Sequence, residues 1–280
     1  VFSRALAAEL YKGSRRGPLL FWGFLFVPIF SFAADLLWLS RPIRVPNITP
    51  HIDLLFLLSH ALQISSSPLA QIFFIAAAAV IFGGEYDSET WRLIAPRAPR
   101  TDWILAKLLL YAAGLFCSLA LVALGTTLCA ILEAASQLIP LASEARAGSP
   151  IVAFVAVFGI SWLELLLLGL LTGLLAVTSR SVLIPAIAMI LLTFCQSTLV
   201  SLIRVASVAG GDGTSAALLV LLPGLAADLA RFFATHAEVS PGLYVTPRMA
   251  GIGLMSLLAW ATLTLLLTLA WFRRQELSRE

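Results

Sequence analysis

Six long apolar runs set what this chain can fold into. They cover residues 18–39, 61–82, 103–132, 151–177, 182–206 and 249–272. Each has the ~20 residues needed to cross about 30 Å of hydrocarbon at ~1.5 Å per residue. A water-soluble domain could not hide them. Of the 280 residues, 60% are hydrophobic and only 12% are charged, whereas a soluble domain of this length must cover a large surface with polar groups. The sequence therefore predicts an all-α polytopic membrane protein, a single transmembrane domain over 1–280.

The runs differ in quality. The second is interrupted near its start by Ser65, Ser66, Ser67 and Pro68, and the third is longer than a crossing needs. The first turn or two of the third is expected outside the hydrocarbon. Cys117, Cys129 and Cys195 all lie inside apolar runs. They read as small buried residues, not as a disulfide framework or a metal site. His51, Asp53 and the distant His60 form a pattern common by chance, and no metal is assigned to it. His236 stands alone. The basic N-terminus precedes an apolar run with no small-residue cleavage site, so that run reads as a retained first span. There is no Lys- or Arg-rich tract and no RNA-binding signature, so nucleic acid is not an expected partner.

The basic residues orient the spans. Six crossings put both termini on one side. That side holds Arg4, Lys12, Arg15 and Arg16; Arg92, Arg97, Arg100 and Lys107; Arg180; and Arg273, Arg274 and Arg279. These are 12 of the 18 Lys and Arg residues. The positive-inside rule then places both termini in the cytoplasm and the chain in the cytoplasmic membrane. Between the fourth and fifth runs only Thr178-Ser179-Arg180-Ser181 remain, a tight turn. Trp22, Trp38, Trp103, Trp260 and Trp271 fall mostly near span ends, as in an interfacial belt.

Two segments outside the spans are still helix-like. Residues 1–17 form an amphipathic stretch with Phe2, Leu6, Leu10 and Tyr11 near one face, suited to lie at the membrane surface. Between spans five and six, residues 207–248 include an apolar stretch, 215–237, broken by Pro223-Gly224. Neither half can span alone, and the pattern predicts two re-entrant helices covered by protein.

The cytoplasmic loop 83–102 is the most charged part of the chain. Between Glu85 and Lys107 lie four acidic and four basic residues. Gly83-Gly84 is expected to end the second span. A short helix follows, with acids in its first turn and Pro96 and Pro99 after it. Thr101 or Asp102 would cap the third span. Such a short amphipathic helix, tied to two spans, is a suitable lever for passing force from a soluble partner.

Here the sequence resembles a family. Glu85-Tyr86, Thr90, Arg92, Leu93, Arg100 and Lys107 are similar to the signature of ABC-2-type transporter permeases. The chain departs at Glu89, where the family commonly has glycine. The resemblance implies six spans, an N-terminal interfacial helix, a coupling helix in this loop and re-entrant helices between spans five and six. It implies the non-catalytic membrane subunit of an ATP-binding-cassette transporter. Two such chains, identical or related, would pair with two cytosolic ATPase subunits, which would bind ATP and Mg. The chain itself carries no G-x-x-x-x-G-K-[ST] loop, and no cofactor is assigned to it. The expected cargo is lipid-like, peptide or an amphipathic small molecule, since the outer loops are small.

Inside the spans, Glu164 stands out in the middle of the fourth. An ionisable group at that depth is costly and should face protein or water. Gly169 and Gly173 form a small-xxx-small pair on the same helix. They lie about 140° and about 180° around the helix from Glu164, so this span should meet protein or a cavity on both faces. Glu164 is then either a cavity-lining, proton-sensitive group or a packing residue. The alternative function is an ion- or proton-coupled secondary transporter using Glu164. It would show internal repeats with paired broken helices, and no clear internal repeat is visible. Asp35 and Arg204 lie near span ends, where they can reach the interface.

Overall fold

The computed structural model describes residues 2–15, 17–39, 52–87, 99–137, 140–142, 149–208, 222–235 and 247–274. Helix α1 (Phe2–Arg15) precedes a first span made of α2 (Gly17–Leu20), a π turn (Phe21–Leu25) and α3 (Phe26–Leu39). Then come β1 (Ile52–Asp53), α4 (Leu54–Ser65), α5 (Pro68–Asp87), α6 (Arg100–Gln137), β2 (Leu141–Ala142), α7 (Pro150–Ser179), α8 (Leu183–Val208), α9 (Pro223–Thr235) and α10 (Pro247–Arg274). Among the described residues, six helical stretches are long and apolar enough to cross a membrane: Gly17–Leu37, Pro68–Tyr86, Thr101–Ser136, Pro150–Ser179, Leu183–Leu202 and Arg248–Arg274. The protein is an all-α, multi-pass membrane protein.

The first and last described helices meet at one end of the bundle. Ala5 of α1, Trp103 and Ile104 of α6, Val177 of α7 and Phe272 of α10 form one buried cluster there. The larger core lies above it, where Phe24, Phe74, Ile75, Tyr111, Leu115 and Leu165 pack together. Beyond that core, β1 and β2 pair in parallel, Ile52 opposite Leu141.

The second span starts later than its apolar run suggests. The expected 61–82 segment is split, with α4 ending at Ser65 and α5 starting at Pro68. Proline supplies no amide and pushes the residue before it out of the helical region. The break is stitched locally. The Ser66 amide donates to the Leu62 and Gln63 carbonyls, and the Ser67 amide donates to that of Ile64. The Gln71 carboxamide donates to the Ser66 carbonyl at 2.8 Å. Asp53 caps α4, its Oδ1 accepting from the Leu55 and Phe56 amides at 2.9 and 3.2 Å. A side chain that entered a conceivable metal pattern thus closes a helix end. His51 lies outside the described residues.

Gly83 and Gly84 do not end the second span. Helix α5 runs through them to Asp87. A glycine inside a helix costs about 1 kcal/mol relative to alanine, and a close approach explains Gly83. A Cβ there would lie 3.0 Å from the Ser181 carbonyl oxygen and 3.2 Å from the Val182 Cα. The turn between α7 and α8 packs against that bare backbone. The same turn is as tight as expected, with Arg180 at φ 52° closing α7 through its amide to the Ala176 carbonyl.

One further boundary is corrected. Helix α6 begins at Arg100, so Thr101 and Asp102 sit inside its first turn, and the Asp102 amide donates to the Pro99 carbonyl. In α1 the buried residues are Ala5, Glu9 and Gly13, while Phe2, Leu10 and Tyr11 are exposed. That stripe faces the bundle, and Leu6 packs beside it against the cluster of Trp103, Ile104 and Phe272.

Helix α9 is too short to span, yet it is embedded. Its Ala226, Ala227 and Ala230 bury against Leu167 and Leu170 of α7 and Leu257 and Ala261 of α10. The approach is close, since a Cβ on Gly253 would lie 2.8 Å from the Ala226 carbonyl oxygen. Residues 215–221, the first part of the expected re-entrant pair, lie outside the described residues.

Candidate functional site

Two polar constellations interrupt the apolar bundle. The first forms where α1, α5 and α6 converge. Lys107 lies two turns into α6 and is only 1% exposed. Its ammonium donates to the Ile81 carbonyl and to Glu85 Oε2, and stands 3.9 Å from Glu9 Oε2. Lys12 of α1 binds Glu9 Oε1 at 2.7 Å and Glu85 Oε1 at 3.2 Å. It also sits 5.3 Å from the centre of the Trp103 ring, within cation–π range.

Two carboxylates and two ammonium groups therefore alternate in one network. That balance matters because a single buried charge costs several kcal/mol. Burial alone would pull the Lys12 pKa down. The hydrogen bond to Glu9 and the charges of Glu85 and Glu9 outweigh it, so Lys12 is held above the ordinary lysine value. Each helix contributes what its local sequence allows. Glu9 and Lys12 share a face of α1 at i and i+3. Glu85 is placed because α5 continues past its glycines.

Of the expected coupling residues, the structure brings Glu85 and Lys107 into contact. Tyr86 packs against the neighbouring apolar cluster of Ala5, Trp103 and Phe272. Thr90, Arg92 and Leu93 lie outside the described residues, and so does the side chain of Arg100. Sequence reasoning missed Glu9. Its one available signal was an acid set amid alanines and basic residues on a helix expected at the membrane surface. Trp103, expected in an interfacial belt, is 7% exposed and belongs to this junction.

The second constellation lies around Glu164. Its carboxylate binds the guanidinium of Arg231 on α9, and Arg231 Nη1 also donates to Asp228 Oδ1 at 2.9 Å. Both side chains of the Glu164–Arg231 pair are nearly excluded from solvent. They face a cavity of about 210 Å³ between the α4–α5 break, α7, α8 and the start of α9. Gln63, Ser66, Gln71, Thr193, Gln196 and Ser201 are among its lining residues.

Gly169 and Gly173 pack on the other side of α7. A Cβ on Gly169 would stand 2.0 Å from Tyr111 Cε1, and one on Gly173 3.1 Å from the Phe82 ring. So α7 meets α6 and α5 through its glycines and α9 through Glu164. The partner of Glu164 was not foreseen, because an arginine 67 positions away carries no local sign of pairing. Asp35, expected at a span end, accepts a hydrogen bond from Thr126 Oγ1 at 3.1 Å.

Comparison with protein-family models returns no match, and comparison with curated proteins returns none either. The functional reading therefore rests on the residues and their geometry.

Proposed function

We propose that this protein is the membrane-spanning permease subunit of an ATP-binding-cassette transporter of the ABC-2 type. In this reading two copies, or one copy and a related chain, pair with two cytosolic ATPase subunits in the cytoplasmic membrane, termini inward. The chain catalyses nothing itself, and ATP and Mg belong to the partner. The observation that carries the reading is the Glu9–Lys12–Glu85–Lys107 network. It ties the surface helix α1, the exit of the second span and the entry of the third into one unit. The charged segment expected to dock on an ATPase emerges directly from that unit, so a push on the segment would move three helices together. The embedded helix α9, opening at Pro223-Gly224, supports a re-entrant element between spans five and six.

In the ion- or proton-coupled alternative, Glu164 must exchange its partner during each cycle. Its commitment to Arg231 counts against that role. The cargo expected here is an amphipathic small molecule, a lipid or a peptide.

The test is co-purification. The tagged chain should retain an ATPase subunit, and ATP turnover by that complex should depend on the chain. Glu85→Ala and Arg92→Ala should uncouple turnover from transport while both variants remain in the membrane. Unchanged stimulation and transport in both would overturn the proposal. Normal transport by Glu164→Gln across pH would exclude the alternative.

A further inference from the structure

We infer that the cavity beside the Glu164–Arg231 pair binds a small, uncharged, hydroxyl-rich group of the size of a sugar ring. Its volume is about 210 Å³, below the ~300–1,000 Å³ of pockets for drug-sized ligands. A single ring or polyol suits a space of that size.

The lining selects the chemistry. Gln63, Gln71 and Gln196 line it, and of these the Gln71 Nε2 already donates to the Ser66 carbonyl. A carboxamide offers a donor and an acceptor side by side, which suits a hydroxyl that both gives and takes a hydrogen bond. Thr193 and Ser201 donate their hydroxyl protons to carbonyls of their own helix, so their lone pairs remain as acceptors. Ser66 Oγ is buried and has no hydrogen-bond partner among the described residues. A ligand hydroxyl would supply the missing partner. Leu167, Leu168, Leu171 and Val200 supply an apolar face for the C–H side of a ring.

Charge argues in the same direction. Glu164 and Asp228 both bind Arg231, so two carboxylates face one guanidinium and the set carries one formal negative charge. An anionic ligand would be repelled by it, whereas a neutral polyol meets no such repulsion. The geometry also explains the two helix breaks. The turn before Pro68 and the start of α9 at Pro223 both border the cavity, and irregular backbone at this depth is tolerated where it lines a cavity.

This inference rests on the transporter reading only in calling the ligand a cargo; binding itself does not require it. The hydroxyl-rich group could arrive as a free solute or as the headgroup of a lipid. The purified chain is placed in phosphatidylcholine nanodiscs, and calorimetry is run with methyl glucoside, choline and acetate as separate probes. A second arm uses nanodiscs containing a monoglucosyl diacylglycerol and reads lipid retention by native mass spectrometry. Saturable binding of methyl glucoside identifies a free solute, and selective retention of the glucosyl lipid alone identifies a headgroup; either supports the inference. Gln196→Leu should weaken binding by about tenfold, the loss expected for one hydrogen-bonding side chain. Ser66→Ala, which leaves the helix break intact, should weaken it severalfold with unchanged helix content. The inference is overturned if neither polyol source binds saturably, if choline or acetate binds as well, or if both variants bind like the parent. Loss of ATPase association with binding intact would overturn only the proposed function.

Discussion

Arg231 and Glu164 are 67 positions apart and form a buried ion pair. The pair fixes α9 against the centre of α7, at a depth where a lone charge would be costly. Each partner makes the other tolerable, and together they explain why a short helix remains embedded among long ones.

Breaking that pair should be expensive in a specific way. Arg231→Met leaves the carboxylate of Glu164 without its guanidinium, and removal of one member of a buried pair costs about 3–5 kcal/mol. The double variant Arg231→Met, Glu164→Met replaces both charges by apolar groups and should recover much of the loss. Thermal denaturation in detergent reads this as a double-mutant cycle. Additive losses would show that the two side chains act separately.

The junction at Glu85 should behave differently from ordinary surface charges. Glu85→Ala leaves Lys107 with the Ile81 carbonyl and the more distant Glu9, and should destabilise by about 3–5 kcal/mol. Arg4→Ala, at an exposed position of α1, should fall within about 0.5 kcal/mol of the parent. Equal melting temperatures for the two variants would contradict a buried role for Glu85.

The two glycines of α7 should not be equivalent. Gly169→Ala drives a methyl into the Tyr111 ring, whereas Gly173→Ala meets Phe82 at a contact that yields by a few tenths of an ångström. Overpacking a tight core costs about 1–3 kcal/mol and replacing a helical glycine by alanine returns about 1 kcal/mol, so Gly169→Ala should be clearly destabilising and Gly173→Ala close to neutral. Tyr111→Leu in the Gly169→Ala background should restore part of the loss. The order of melting temperatures checks this.

Docking of α1 should be insensitive to pH around neutrality. Lys12 is held above its ordinary value, which is about 10.4. A raised lysine pKa stabilises the folded state at all pH below the ordinary value. That contribution fades only as pH climbs through the raised one. Protection of the Lys12 and Arg15 sites from trypsin should therefore hold between about pH 7 and 9, within the range where lysine stays charged. Lys12→Met should expose Arg15 throughout. A loss of protection in the parent across that interval would contradict the arrangement.

The sequence by itself determined the class of the protein and most of its spans. Apolar length decides that, because hydrocarbon demands about 20 apolar residues whatever surrounds them. It also marked Glu164 and the opposed glycines of α7 as positions that need protein on both faces, since helical angles are local. The tertiary structure decided what local pattern could not. Gly83 reads as a helix end in sequence, and becomes a helix interior because the α7–α8 turn packs on it. The large apolar residues of α1 suited it to a membrane surface, but only the fold shows that Ala5, Glu9 and Gly13 face the bundle, where Glu9 finds two lysines. Arg231 carried no local sign of a partner until the fold brought it to Glu164. In each case the deciding energy comes from a contact between residues distant in the chain, and such contacts leave no periodic trace in the sequence.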